Sequence, residues 1–370
     1  MTLGGLRPVR LDDPDRLAAG DPGGMLGLVA SAGQQARMAL AAARGADLAV
    51  PAPAAMVVAG MGGSGIAGDV LAALAFTAAR VPVLTVKSDR LPGFVGPDTL
   101  LVAVSYSGST DETVSAAEQG LAAGARLVAV ASGGRLAQLA EAHQAPRVPV
   151  PAGMPPRAAL WSLVVPVLAA AEAAGVLPGA TADVPAVAEA LDAEDADLGP
   201  AAPAGRNPAK RAAARLAGKL PVAWGTGALG AVAATRFRAQ CNENAKVSAI
   251  GTALPEADHN EVMALEGGLG RDRELVVLRD EPGEHPRDPH RLEAVLEAVG
   301  LDAAGAWDAD ARDAPVLRRA GTGPALARLA RLVAFADYTS VYLALARGVD
   351  PTAIATIDRV KAGVAARAGR

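Results

Sequence analysis

A two-lobed α/β architecture, each lobe a parallel sheet flanked by helices, is what this sequence predicts, on three observations. Short apolar runs alternate with stretches of helical spacing along most of the chain, the pattern of strands buried on both faces. Two of those runs end on glycine turns of the same form, Gly60-Met61-Gly62-Gly63-Ser64-Gly65 and Gly225-Thr226-Gly227-Ala228-Leu229-Gly230, each followed by a helical pattern. Between them, residues 176–208 are rich in Ala, Asp, Gly and Pro, the composition of a helix plus linker. The lobes are therefore expected over residues 1–176 and 177–370.

The elements follow in order. Residues 11–45 read as mostly helical. Strands are expected at 54–59, 81–86, 100–104 and 127–131, with helices over 66–79, 111–120 and 137–143 between and after them. In the second lobe the strand candidates are 221–224, 274–278 and 315–317, with a helix over 231–241. Two helices close the chain, 326–347 and 351–365, the second with Pro351 at its start.

Composition narrows the function classes. With 370 residues, 51% of them hydrophobic, the chain has material for two cores. A net charge of −4 and no long basic run argue against nucleic acid as a partner. Cys241 is the only cysteine, so no intrachain disulfide forms and a reducing, cytoplasmic compartment is expected. The first residues carry acids and no apolar run of the signal-peptide kind. The stretch Ala158 to Ala174, the most apolar, contains Pro166 and Glu172 and is too short to cross a bilayer, so no membrane partner is expected.

Glycine turns alone are weak signals, because a tight strand-to-helix turn needs no ligand. Taken by themselves they also allow a nucleotide-dependent oxidoreductase, although the second strand ends on Lys87-Ser88-Asp89 without the clear acid that fold requires. The run Ser105-Tyr106-Ser107-Gly108-Ser109-Thr110-Asp111 says more. It follows a strand, opens a helix, and offers four aliphatic hydroxyls within six residues, enough with the helix amides to hold a phosphate dianion without a lysine. A helix N-cap accounts for one such residue, not four.

Arg157, in Met154-Pro155-Pro156-Arg157-Ala158, sits where two prolines stiffen the approach to a helix, placed either to meet an anion or to face solvent. Asn242-Glu243-Asn244-Ala245-Lys246 follows an apolar helix, and a carboxylate held between carboxamides suits a proton shuttle as well as a helix stop. His259 comes sixteen residues after Glu243 among Glu256, Asp258 and Glu261, and one loop is expected to present both. His285 and His290 fall in a loop rich in Pro, Asp and Arg. Lys361 on the terminal helix reads by itself as a charge complementing the helix dipole.

Taken in order, GMGGSGIAGD, SYSGSTDET, PPRAA, NENAK and DHNE resemble the bifunctional phosphoglucose/phosphomannose isomerases, built from two sugar isomerase (SIS) domains. The resemblance runs from about residue 50 to the C-terminus, and its specific parts are the serine loop and the NENAK–HNE pair. It implies that Gly63, Ser64, Ser105, Ser107 and Thr110 hold a sugar 6-phosphate, that Arg157 steadies an enediolate, and that Glu243 carries the proton between C1 and C2. It further implies that His259 and Lys361 assist ring opening, with His259 reaching a neighbouring subunit's site in a homodimer. No cofactor or metal is implied. Two departures stand out: Ser109 occupies a position more often Asn, and residues 270–320 are long, charged and Pro-rich. The other function class consistent with these motifs is a non-catalytic SIS protein that binds a sugar phosphate for regulation, which would keep the serine loop without needing Glu243 and His259.

Overall fold

The computed structural model describes residues 11–266, 269, 271–300 and 315–368. The opening residues 1–10 and residues 301–314 of the charged segment lie outside the described residues.

Among the described residues, nine strands form two all-parallel sheets. The first holds β1 (Ala55–Ala59), β2 (Val83–Val86), β3 (Thr99–Val104), β4 (Arg126–Ala131) and β5 (Arg147–Pro149) in the order β2-β1-β3-β4-β5. The second holds β6 (Leu220–Thr226), β7 (Ile250–Ala253), β8 (Arg273–Arg279) and β9 (Val316–Arg319) in the order β7-β6-β8-β9. The predicted class is the observed one. Two strands were not expected: β5, only three residues long, and β7, an edge strand whose Gly251 and Thr252 break the apolar run.

The pleat sorts side chains between two layers. Met56, Val58, Leu100, Val102 and Val104 face a core shared with the helices Ala32–Arg44, Leu160–Ala173 and Val184–Leu198. Val57, Ala59, Leu101 and Ala103 face the opposite way, against the helices Asp111–Ala122 and Gly134–Ala142. The larger core runs on into the second sheet through Ala223, Val276 and Leu278, so one continuous apolar layer joins both sheets. The longest helix, Ala325–Ala346, lies in that layer. It has the length and composition to cross a membrane, but 94% of its most apolar window is buried within the fold, so its hydrophobicity is accounted for by packing.

Each sheet reverses direction beside its first strand. The chain passes from β1 to β2 on one side and then crosses to β3 on the other; likewise from β6 to β7 and then β8. A crevice opens at such a switch point, at the carboxyl ends of the strands, and ligands of open α/β sheets bind there. Both glycine turns stand at these two points.

Candidate active site

At the first switch point the glycine turn and the serine loop are neighbours because β1 and β3 are paired. Gly60 must be glycine, since a Cβ there would come within 2.8 Å of the Val104 carbonyl oxygen at the end of β3. Gly108, at φ +70°, would drive a Cβ to 1.7 Å from the Gly133 carbonyl. Gly63 packs on the proline–arginine segment: its Cβ would stand 3.2 Å from the Pro156 carbonyl and 3.6 Å from Arg157 Cα. Ser64 is buried in the first turn of the helix Gly62–Ala75. That helix and Asp111–Ala122 both begin without a side-chain cap; in the first, the Met61 carbonyl takes the Ser64 amide at 3.0 Å, which leaves the amides ahead of it for a ligand.

The four hydroxyls of the serine loop divide into two kinds. Ser105 is buried and braces the loop: its Oγ accepts from the Gly108 amide at 3.1 Å and lies 3.0 Å from Thr110 Oγ1. Ser107 and Ser109 are exposed, and the Ser107 Oγ accepts from the Ser109 amide at 3.2 Å. Thr110 stands at the N-cap position without capping, so the hydroxyl run is not explained by helix initiation. Tyr106 ties the loop to the proline–arginine segment, its phenol oxygen accepting from the Met154 amide at 3.0 Å.

Arg157 is 3% exposed and does not face solvent. Its Nε donates to Asn244 Oδ1 at 2.7 Å, and its Nη2 donates to the carbonyls of Pro351 at 2.7 Å and Thr352 at 2.9 Å. Three of its five N–H groups are thereby committed to the protein. Nη1 keeps the other two and lies 3.9 Å from Glu243 Oε2. Burial lowers the guanidinium pKa from its ordinary value, and the Glu243 carboxylate works against that shift. The Arg157 backbone is fixed too: its carbonyl accepts from Arg236 Nη2, and Arg236 is locked in a two-pronged pair with Asp337 at 2.9 Å on each prong.

Glu243 is the last residue of the helix Gly227–Glu243, so NENAK begins inside the helix rather than after it. Asn244, fully buried, spends its side chain on Arg157 and on Ser340 Oγ at 2.9 Å. Sequence reasoning gave Asn244 no separate role; the carboxamide beside the acid was the available signal. The Glu243 carboxylate is about a third exposed, at 31%, and borders a cavity of about 380 Å3 formed with Asn242, Lys246 and residues 353–357.

His259 and Lys361 are not brought to this pair within the chain. β7 intervenes between Glu243 and His259, so they do not share the expected loop. His259 ends the short helix Glu256–His259 with its side chain 70% exposed. Of the surrounding acids, Asp258 lies 3.7 Å from His259 Nε2 and also pairs with Arg291 at 2.7 Å, while Glu256 bonds Asn260 and Glu261 accepts from Trp224 Nε1 at 3.0 Å. Lys361 lies exposed on the helix Ala355–Ala368, which starts four residues after Pro351 because the Pro351 carbonyl is taken by Arg157. His290 lies in the helix Asp288–Ala298, not in a loop. Among the described residues, no hydrogen bond or ion pair links His259 or Lys361 to Glu243 or Arg157.

The second glycine turn is filled by the chain itself. Glu284 accepts from Thr226 Oγ1, which heads the helix Gly227–Glu243, and from Arg279 through Nε at 2.8 Å and Nη2 at 2.7 Å. A Cβ on Gly227 would stand 2.8 Å from the Gly283 carbonyl, so the turn Glu281–Gly283 lies directly on the helix start. Burial opposes ionisation of Glu284, but its hydrogen bonds from Arg279 and Thr226 outweigh it and hold the carboxyl below its ordinary value.

Known proteins resemble this chain in fold and in sequence. Residues 205–364 match the family model of the bacterial phospho-glucose isomerase C-terminal SIS domain. Among solved structures, a hypothetical protein of Thermus thermophilus superposes with a TM-score of 0.69 at 18% identity, covering 96% of this chain and 94% of that one. The tagatose-6-phosphate ketose/aldose isomerase of Escherichia coli gives a TM-score of 0.63 at 18% identity, over 81% and 84%. These two show the fold. The bifunctional phosphoglucose/phosphomannose isomerase of Aquifex aeolicus is 33% identical over 83% of this chain and 89% of that protein. Its counterpart in Caldicellulosiruptor bescii is 31% identical over 83% of this chain and 88% of that protein. At that identity and coverage, with the serine loop, the buried arginine and the helix-end glutamate assembled around one switch point, the chain belongs to the bifunctional phosphoglucose/phosphomannose isomerase family.

Proposed function

We propose that the chain interconverts glucose 6-phosphate, mannose 6-phosphate or both with fructose 6-phosphate through a cis-enediol. The observation that carries this is Arg157 Nη1, with two donors uncommitted, 3.9 Å from the carboxylate of Glu243 beside the glycine turn. A base beside a fixed positive charge is what proton transfer next to a carbonyl needs.

In this reading the amides of the two open helix starts, with Gly63, Ser64, Ser107 and Thr110, seat the phosphate and sugar hydroxyls, and Ser105 holds the loop in shape. Glu243 takes the C2 proton of the open-chain aldose. The C2–H electron pair becomes the C1–C2 double bond and the carbonyl oxygen at C1 takes up negative charge, which Arg157 stabilises. The hydroxyl proton at O2 passes to the C1 oxygen, the electron pair left on O2 forms the new carbonyl at C2, and the C1–C2 double-bond pair takes the proton back from Glu243 at C1. Oxidation at C2 balances reduction at C1, so no external oxidant enters. C2 is planar in the enediol, and either face can receive the proton on return, which lets one site serve both aldoses. His259 and Lys361 assist ring opening. The exposed His259 does so in the site of a second copy, in a homodimer. The SIS units are taken as residues 1–176 and 177–370. The single cysteine, buried Cys241, supports a cytoplasmic setting.

The test is turnover of both aldose phosphates and fructose 6-phosphate by the parent chain, by Glu243→Gln and by His259→Ala. Glu243→Gln should lose about 10²–10⁴-fold in turnover, the range for a missing general acid–base group. Mixing the two inactive chains should restore activity after subunit exchange. Near-normal turnover by Glu243→Gln would remove the base from the mechanism. A parent that binds fructose 6-phosphate without converting it would make the chain a sugar-phosphate sensor.

A further inference from the structure

Lys246, which closes the NENAK run, has no task in the mechanism, and its geometry is unusual. Its φ is +54°, the left-handed region that L side chains avoid and that costs roughly 1 kcal/mol for a residue with a Cβ. A glycine or asparagine is the ordinary occupant just past a helix end. The side chain has to compensate, and it does so through its contacts. Nζ lies 2.8 Å from the Glu243 carbonyl, 3.1 Å from that of Asn244, 2.8 Å from that of Asp350 and 3.3 Å from that of Pro351. An ammonium has three N–H groups, so four acceptors leave none for a substrate.

Two of those acceptors belong to the end of the helix that carries Glu243. The other two belong to the turn leading into the terminal helix Ala355–Ala368, which carries Lys361. The Pro351 carbonyl is shared: Arg157 Nη2 reaches it at 2.7 Å from the other side. Two cations thus grip one turn, and through it the base, the arginine and the terminal helix are tied at a single point. A plain helix-end cap would need only the first two carbonyls.

We infer that Lys246 is a positioning residue for the isomerisation, clamping the Asp350–Thr352 turn to the Glu243 end of the helix and so fixing the terminal helix relative to the base. This rests on the isomerase reading for its kinetic arm and on geometry alone for its structural arm.

The experiment compares the full-length parent with Lys246→Gly, Lys246→Met and Lys246→Arg. Glycine relieves the left-handed backbone, so Lys246→Gly should remain folded and lose only the clamp. Its kcat should fall on the order of 10- to 100-fold, the cost of moving a catalytic group by about 1 Å. Its KM for fructose 6-phosphate should stay within about twofold, since the phosphate seat is elsewhere. Lys246→Met should match it, and Lys246→Arg should regain part of the rate. In parallel, amide hydrogen exchange over residues 350–356 should quicken in Lys246→Gly while that of β1 and β3 does not change. Parent-like kcat in both Lys246→Gly and Lys246→Met overturns the inference. If the parent itself does not isomerise, the functional reading fails separately, and exchange decides the clamp: faster exchange upholds it and unchanged exchange overturns it.

Discussion

Replacing Arg157 by lysine keeps the charge and removes the fork, and the structure gives the cost. The guanidinium serves three protein acceptors: Asn244 Oδ1, the Pro351 carbonyl and the Thr352 carbonyl. Nε serves the first and Nη2 serves both carbonyls, and a lysine ammonium can take one side of that fork but not both. The Pro351 carbonyl keeps Lys246 as a donor, so one buried acceptor, Asn244 Oδ1 or the Thr352 carbonyl, then lacks a donor, at about 1–3 kcal/mol. Catalysis should suffer independently, since Nη1 is the group left to face substrate. Losing one pre-placed donor to a developing oxyanion lowers kcat by about 10²–10³-fold. Urea unfolding, followed by fluorescence of buried Trp161 and Trp224, reads the first quantity, and steady-state turnover of fructose 6-phosphate reads the second. Stability within about 0.5 kcal/mol of the parent would refute the claim that Arg157 holds the 351–352 turn. A full stability loss with unchanged kcat would make the arginine a structural strut only.

Two further outcomes are expected. Ser107→Ala combined with Thr110→Ala should weaken sugar 6-phosphate binding by about 1.5–3 kcal/mol for each lost hydrogen bond to charge, while leaving the free sugar unaffected in calorimetry. Equal affinity for the phosphate would reduce the loop to backbone contacts alone. Glu284 has a lowered folded pKa, so its ionised form stabilises the fold above the unfolded glutamate value of about 4.3, and that contribution disappears as pH falls through the lower folded value. Glu284→Gln should therefore be less stable than the parent at pH 7 and converge with it in acid; a gap independent of pH would assign the effect to packing.

What was readable in the chain tracks how strongly each element is driven by burial. β1, β3, β4, β6 and β8 are built on apolar runs and were found within a residue or two. β5 and β7 are edge strands of three and four residues, held by pairing with a neighbour rather than by their own pattern. Nothing local marks them. The site divides the same way. The serine loop announced itself by density of hydroxyls, but the inward brace of Ser105 against the outward Ser107 depends on where the loop turns at Gly108. Arg157 read equally well as exposed, because its acceptors are the side chain of Asn244 and a turn almost two hundred residues away. The same distance displaced the start of the terminal helix: Pro351 looks like a helix opener, yet its carbonyl faces two cations.

The carboxylate of Glu284 gives the two lobes different electrostatic standing. An anion seat at a helix start is a fixed positive field waiting for a counter-charge. In the second lobe the chain carries that counter-charge covalently, at an effective concentration no dissolved phosphate can match, and pairs it with Arg279 as well. A repeated architecture therefore does not double the binding capacity: the isotherm of a sugar phosphate should saturate at about one molecule per chain. The far end of the helix that heads this sealed turn carries Glu243. With that turn occupied by its own carboxylate, the second half contributes to the proposed site through the opposite end of the same helix.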